Sequence, residues 1–191
     1  MQTIKDNITN TIIIKNSKFI CYLYKVYKLE EVANEIKKAK EKYKDATHCC
    51  YAYIIDNNHK FSDDFEPKGS AGSPIYQVLK NNNLNYVLCI VIRYFGGIKL
   101  GASGLIRAYS RSAKEALEKT SIINLTKGKN ITIEFNYENI KQIDNILKDE
   151  KILSKEYKEK IIYNANVLNN IINPLNNISK ITINNDIYIE K

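Results

Sequence analysis

Ten residues, Phe95–Gly104, hold four of the seven glycines in the chain. They follow an apolar run, Tyr86–Tyr94, that reads as a central strand. They precede a strongly amphipathic stretch that reads as a helix through about Lys119. A strand, a glycine turn and a helix start dictate mixed α/β architecture, because the chain must leave a sheet and fold back over it. The same arrangement is the physical recipe for an anion site: backbone N–H groups point outward, the helix dipole adds partial positive charge, and glycine lets an anion approach. Gly96, Gly97, Gly101 and Gly104, with Arg93 before the turn, Lys99 inside it and Arg107 after it, are therefore the candidate anion- or nucleic-acid-binding residues. Two named phosphate motifs fail. GxxxxGK[ST] starting at Gly96 needs Lys at position 102, which is Ala102, and GxGxxG fits no frame. The alternative is that the glycines only permit a tight strand-to-helix crossing.

Composition matters next because of the arginines. The 191 residues carry 29 Lys+Arg against 21 Asp+Glu, a formal charge of +8, yet only three of the cations are Arg. These are Arg93, Arg107 and Arg111, all close to the glycine turn, where a planar and permanently charged fork suits oxyanions. The charge is uneven. Residues 1–120 hold 19 basic and 12 acidic groups, whereas residues 121–191 hold 10 and 9. A polyanion is expected to meet the first segment. An apolar fraction of 44% with fourteen Tyr and five Phe excludes a disordered chain, and the length allows one large or two small domains. No apolar stretch has the length of a signal peptide or a membrane span. Cys21, Cys49, Cys50 and Cys89 show no CxxC spacing and read as buried free thiols in a reducing cytoplasm.

Elsewhere the pattern predicts a strand pair at Thr9–Lys15 and Lys18–Tyr24, split by Asn16-Ser17, and a helix over Leu29–Tyr43. A buried strand follows at Tyr51–Ile55, then a polar loop over Asp56–Gly72. A short helix at Ile75–Leu79 has Ser73 as N-cap and Pro74 at its first position. The pattern resets near Thr126–Lys129, so a domain boundary is placed near residue 127, giving domains 1–127 and 128–191. Beyond it the order is strand (Ile131–Phe135), helix (Asn139–Lys148), strand (Ile152–Tyr157), strand (Lys160–Val167), a short helix containing Pro174, and strand (Lys180–Ile189). That is the βαββαβ order of a ferredoxin-like domain.

Two further clusters bear on chemistry. Asp63, Asp64 and Glu66 put three carboxylates in four residues. They lack the alternating spacing of a calcium loop, so no metal is assigned to them. They read as a solvated loop, or as partners of the Arg93/Arg107 side that pre-shape a cleft. His48, with Tyr51, stands at a strand start beside Cys49 and Cys50. Strand alternation sends at least one of those thiols into the core, so nucleophilic catalysis is unsupported. His48, Tyr51, Asp63, Asp64 and Glu66 are expected on the cleft rim. No cofactor is expected.

Three blocks, Thr47–Tyr53, Ser62–Ile75 and Arg93–Tyr109, resemble the signature segments of the YigZ/IMPACT family, and Ser17–Ile20 resembles its opening. The resemblance implies an N-terminal domain similar to the second domain of the small-subunit ribosomal protein five fold. It also implies a C-terminal ferredoxin-like domain similar to one in elongation factor G. Both of those relatives act on RNA or the ribosome. Eukaryotic relatives in the family carry an additional N-terminal interaction domain and modulate a translation-control kinase, a role not transferred to this chain; the compact two-domain members resemble it better, and no enzymatic reaction is implied. This chain has Cys49 where the family usually has Asn, Ser103 where Gly is frequent, and Phe65 where Gly is usual. A bulky residue at a positive-φ position is poorly tolerated, so a reshaped acidic loop is expected.

The expected function is a binding protein linked to translation or its regulation, contacting RNA or the ribosome through the glycine-rich cleft, with a translation factor or other protein as a further partner. The alternative is a phosphate- or nucleotide-binding enzyme that uses the glycine-rich and acidic loops. A third possibility is a protein-interaction module in which both loops are architectural.

Overall fold

The computed structural model describes residues 1–190 and is mixed α/β. Its chain divides into two compact units, Met1–Ile123 and Asn124–Lys191. After a short strand β1 (Gln2–Ile4), the first unit builds a sheet from β2 (Ile8–Ile14), β3 (Ser17–Lys25), β4 (His48–Ile55), β5 (Asn58–Ser62) and β6 (Val87–Tyr94). The strand order is β2-β3-β6-β4-β5, with every neighbour antiparallel. Three helices complete it: α1 (Leu29–Lys42), α2 (Gly72–Asn81) and α3 (Gly101–Leu117).

β6 takes the centre because its run from Val87 to Arg93 is buried throughout, as a strand covered on both faces must be. Alternation then sorts the side chains. Phe19, Cys21 and Leu23 of β3, Cys50 and Ala52 of β4, and Cys89 and Val91 of β6 share one core with α2 and α3. The opposite face carries Tyr22 and Tyr24, Leu88 and Ile90, and Tyr51 and Tyr53, with α1 packed over β4 and β6. All four cysteines are buried free thiols.

Several boundaries differ from the sequence expectation. The β2–β3 turn is Lys15-Asn16, both at positive φ, rather than Asn16-Ser17; that is the twist-matched two-residue hairpin. The Asp56–Gly72 segment contains a strand, β5, joined to β4 by a tight turn at Asp56 (φ 54). Its exposed Asn58, His59 and Lys60 disguise it, being the polar residues that protect a sheet edge. α2 begins at Gly72 behind Ala71, so Pro74 stands at its third position and Ser73 is not the cap.

The second unit contains β7 (Ile122–Phe135), α4 (Ile140–Ile146), β8 (Lys151–Tyr157), β9 (Ile161–Leu168), α5 (Asn169–Asn176) and β10 (Lys180–Glu190). The antiparallel order is β10-β7-β9-β8. Gly128, read as part of a pattern reset, lies inside β7, where an added Cβ would meet the Val167 carbonyl oxygen at 2.6 Å. One sheet face, with Ile131, Ile133, Tyr163 and Ala165, packs on Ile143 and Leu175 of the two helices.

Candidate functional site

The acidic loop is a turn closed by the Glu66 N–H donating to the Asp63 carbonyl at 2.9 Å. Asp64 and Phe65 both have positive φ, 43° and 67°, which defines a type I′ turn. The backbone thus holds the left-handed conformation with Phe in place, and the expected reshaping is not what accommodates it. The side chain is 98% exposed and meets no crowding.

This turn sends its three carboxylates to three elements. Asp63 accepts from the backbone N–H groups of Gly69 (2.8 Å), Ala71 (3.0 Å) and Gly72 (2.8 Å). It therefore satisfies the N-terminus of α2, the service a side-chain cap gives. Asp64 accepts from the Cys49 N–H at 2.6 Å and pairs with Lys40 at 3.3 Å. Glu66 is buried, and its Oε1 accepts from Arg93 Nη1 at 2.6 Å and from the Tyr109 hydroxyl at 2.8 Å. Among the described residues no group of three His, Cys, Asp or Glu is placed to hold a metal ion.

Arg93 is only 5% exposed. Its guanidinium lies 5.6 Å from the ring centroids of both Phe19 and Phe95, and among the described residues its Nε has no hydrogen-bond partner. His48 donates from Nδ1 to the Asp64 carbonyl at 2.7 Å, because a carbonyl only accepts. That turns Nε2 toward Glu66 Oε1, 3.7 Å away. Burial, helped by the Asp64 charge, pushes the Cys49 thiol up to about 11. Burial likewise raises Cys50, and it raises Tyr109, with Cys50 and Glu66 adding to the effect. Neither thiol is an activated nucleophile.

In the glycine turn, Gly96 is a close-approach position: a Cβ there would lie 2.0 Å from the Asn16 carbonyl carbon. Its N–H donates to Ser17 Oγ at 3.1 Å, and the Phe95 N–H donates to Thr47 Oγ1 at 2.9 Å. Gly97 and Gly101 have positive φ of 85° and 70°. These three glycines are thus required by the crossing itself. Gly104 lies within α3.

Two depressions meet at Leu100, the residue preceding α3. The first, about 290 Å³, is lined by His48, Glu66, Arg93, Lys99 and Gly101. The second, about 300 Å³, is lined by Lys15, Gly104, Arg107 and Arg111. Arg93 and Lys99 share a cavity with Glu66 and Pro67 of the acidic loop, and Arg107 does not join them. Helical rotation explains this: Gly101, Ala102 and Leu105 look one way, whereas Gly104, Arg107, Ala108 and Arg111 form the i, i+3, i+4, i+7 stripe of another face.

Tyr51 does not line this rim either. It stands three positions after His48, which puts the two side chains on opposite faces of β4. It lines a groove of about 620 Å³ beneath α1. Asp63 and Asp64 are absent from the lining because their carboxylates are spent on backbone N–H groups. Arg111, noted in the sequence for its closeness to the glycine turn, lines the second depression. Phe95 and Lys15 are site neighbours not named among the candidates; for Phe95, sequence adjacency to the turn was the available signal, and Lys15 has none.

The model of the Impact N-terminal domain family matches residues 15–117. The chain belongs to the IMPACT family. The family member YvyE of Bacillus subtilis (strain 168) is 40% identical over 168 residues, covering 86% of this chain and 76% of YvyE. The member YigZ of Escherichia coli (strain K12) is 31% identical over 152 residues, covering 76% and 74%. A crystal structure of a protein described as hypothetical superposes with a TM-score of 0.65 at 27% identity, covering 87% of this chain and 84% of that one.

Proposed function

We infer that this chain is a non-enzymatic binding protein of translation or its regulation, working in the cytoplasm, and that its first unit contacts RNA or the ribosome at the N-terminal turn of α3. One observation carries this reading. The depression holding Lys15, Arg107 and Arg111 has no carboxylate in its lining and opens beside a helix start that, among the described residues, no side chain caps. Arg111 pairs with Glu115; Lys15 and Arg107 face solvent and, among the described residues, have no carboxylate within salt-bridge distance. Backbone phosphate is the ligand chemistry that such a surface recognises. The family resemblance supplies the link to translation, and the β10-β7-β9-β8 order supports reading the second unit as ferredoxin-like. The N-terminal unit is read as similar to the second domain of ribosomal protein five.

The test is titration of a labelled single-stranded RNA of about 20 nucleotides at low and moderate salt, with Arg107→Ala alongside and mononucleotides as competitors. Salt-sensitive binding that weakens in the variant and resists the mononucleotides is the expected result. Saturable mononucleotide binding without RNA binding would replace this reading with the enzyme alternative. That alternative draws its support from His48, Glu66 and Lys99 facing one small cavity.

A further inference from the structure

A further groove of the first unit belongs to neither depression. It lies between α1 and the β4–β5 edge of the sheet and has a volume of about 620 Å³. Its floor is Val32 and Ile36 of α1 with Tyr51 and Tyr53 of β4. Tyr51 and Tyr53 are successive same-face residues of one strand, so their Cα atoms stand about 7 Å apart and both side chains face the groove.

Charge surrounds this floor. Lys37 and Lys40 of α1 line one wall, with Lys44 just past the end of the helix, and Lys60 of β5 stands on the other, against Glu41 as the one acid of the lining. Lys40 is held by Asp64 at 3.3 Å, and Lys37 approaches Glu41 at 4.0 Å. Among the described residues, Lys44 and Lys60 have no carboxylate within salt-bridge distance.

The far flank of α1 repeats the arrangement. Tyr22 and Tyr24 of β3 stack at 5.8 Å with their ring planes 1° apart, and Lys42 lies 5.5 Å from the Tyr22 ring. Register makes the repeat exact in position: Tyr22 and Tyr51 both pair with Ile90, and Tyr24 and Tyr53 both pair with Leu88. Paired aromatic platforms interleaved with cations fit a polyanion that carries a flat base for each charge.

We propose that the α1/β4–β5 groove is a single-stranded RNA site, with unpaired bases stacking on Tyr51 and Tyr53 and the backbone running along Lys37, Lys40, Lys44 and Lys60. The site is separate from the α3 surface. An aliphatic floor rimmed by lysines also suits an acidic, apolar peptide. The phenol pairs and their repetition across α1 favour nucleic acid.

The experiment uses the full chain and a labelled uridine oligomer of about 12 nucleotides, one arm carrying 4-thiouridine for photo-crosslinking. Tyr51→Ala and Tyr53→Ala are each expected to weaken binding about tenfold, and the crosslinks to map to β4. Lys44→Glu with Lys60→Glu, both on the surface, is the variant that leaves the core untouched. It should weaken binding and flatten its salt dependence. Arg107→Ala should leave the β4 crosslinks in place. Crosslinks confined to α3, or unchanged affinity in the tyrosine and lysine variants, would overturn this proposal while leaving the α3 reading standing. Loss in the groove variants with none in Arg107→Ala would do the reverse. Displacement of the oligomer from wild type by a glutamate- and leucine-rich peptide at lower concentration than by unlabelled RNA would assign the groove to a protein partner instead. Absence of any RNA binding would refute both.

Discussion

The two depressions that meet at Leu100 contain the same kind of residue put to opposite uses. In the first, Arg93 is buried between two phenyl rings and its charge is taken by Glu66. In the second, Arg107 is exposed and shares with Lys15 a lining that includes no carboxylate, although Glu115 and Glu118 line the neighbouring depression on its other side. An arginine beside a glycine turn is thus not by itself an anion receptor. What decides its role is whether the fold has already supplied the anion.

The sharpest way to break this comparison is to remove each arginine. Arg93→Ala leaves Glu66 buried and unpaired and should cost about 4 kcal/mol in urea unfolding, whereas Arg107→Ala should cost less than about 0.5 kcal/mol. Equal losses would end the distinction. The pair can then be replaced together. Arg93→Met with Glu66→Leu removes both buried charges and is expected to recover about 2 kcal/mol or more of the single-variant loss, read from the same urea midpoints.

Alkaline pH extends the comparison to a thiol beside Asp64 of the acidic loop. Cys49 holds its proton up to about 11 in the folded chain, above the ordinary thiol value near 8.5 that the unfolded chain has. Between those values the unfolded state binds fewer protons, so stability falls as pH rises. Thermal midpoints from pH 8 to pH 11 should drop, the Cys49 share being about 2–3 kcal/mol, and Cys49→Ala should drop less. A smaller gain belongs to the loop on the first depression's rim. Phe65→Gly relieves a left-handed backbone at a residue whose side chain touches almost nothing, and should raise stability by about 1 kcal/mol. A loss instead would mean that the exposed ring is held by contacts in solution.

Elements with strong periodicity were legible from residues alone. β6 announced itself by unbroken apolarity, α1 and α3 by their stripes, and the second unit's βαββαβ order by regular alternation. β5 was not legible, because an edge strand with one neighbour has a polar surface and reads as loop. The start of α2 was misplaced because its cap comes from Asp63, outside the local window that cap rules inspect. Of the candidate site, the proximity of Arg93, Lys99 and the acidic loop was readable, since three motif blocks pointed to one place. Arg107 and Tyr51 were misassigned because grouping by sequence distance overlooks which way a helix or strand turns each side chain.

The central position of β6 has a consequence for how the chain is made. Both hairpins that flank it, β2–β3 and β4–β5, precede it in sequence, so they leave the ribosome before the strand that joins them exists. Until residues 87–94 emerge, β3 and β4 each present an open edge with unpaired backbone groups. The first unit's core then closes in one late, long-range step rather than accumulating residue by residue. Its nascent form is correspondingly the form most exposed to mispairing with a neighbouring chain.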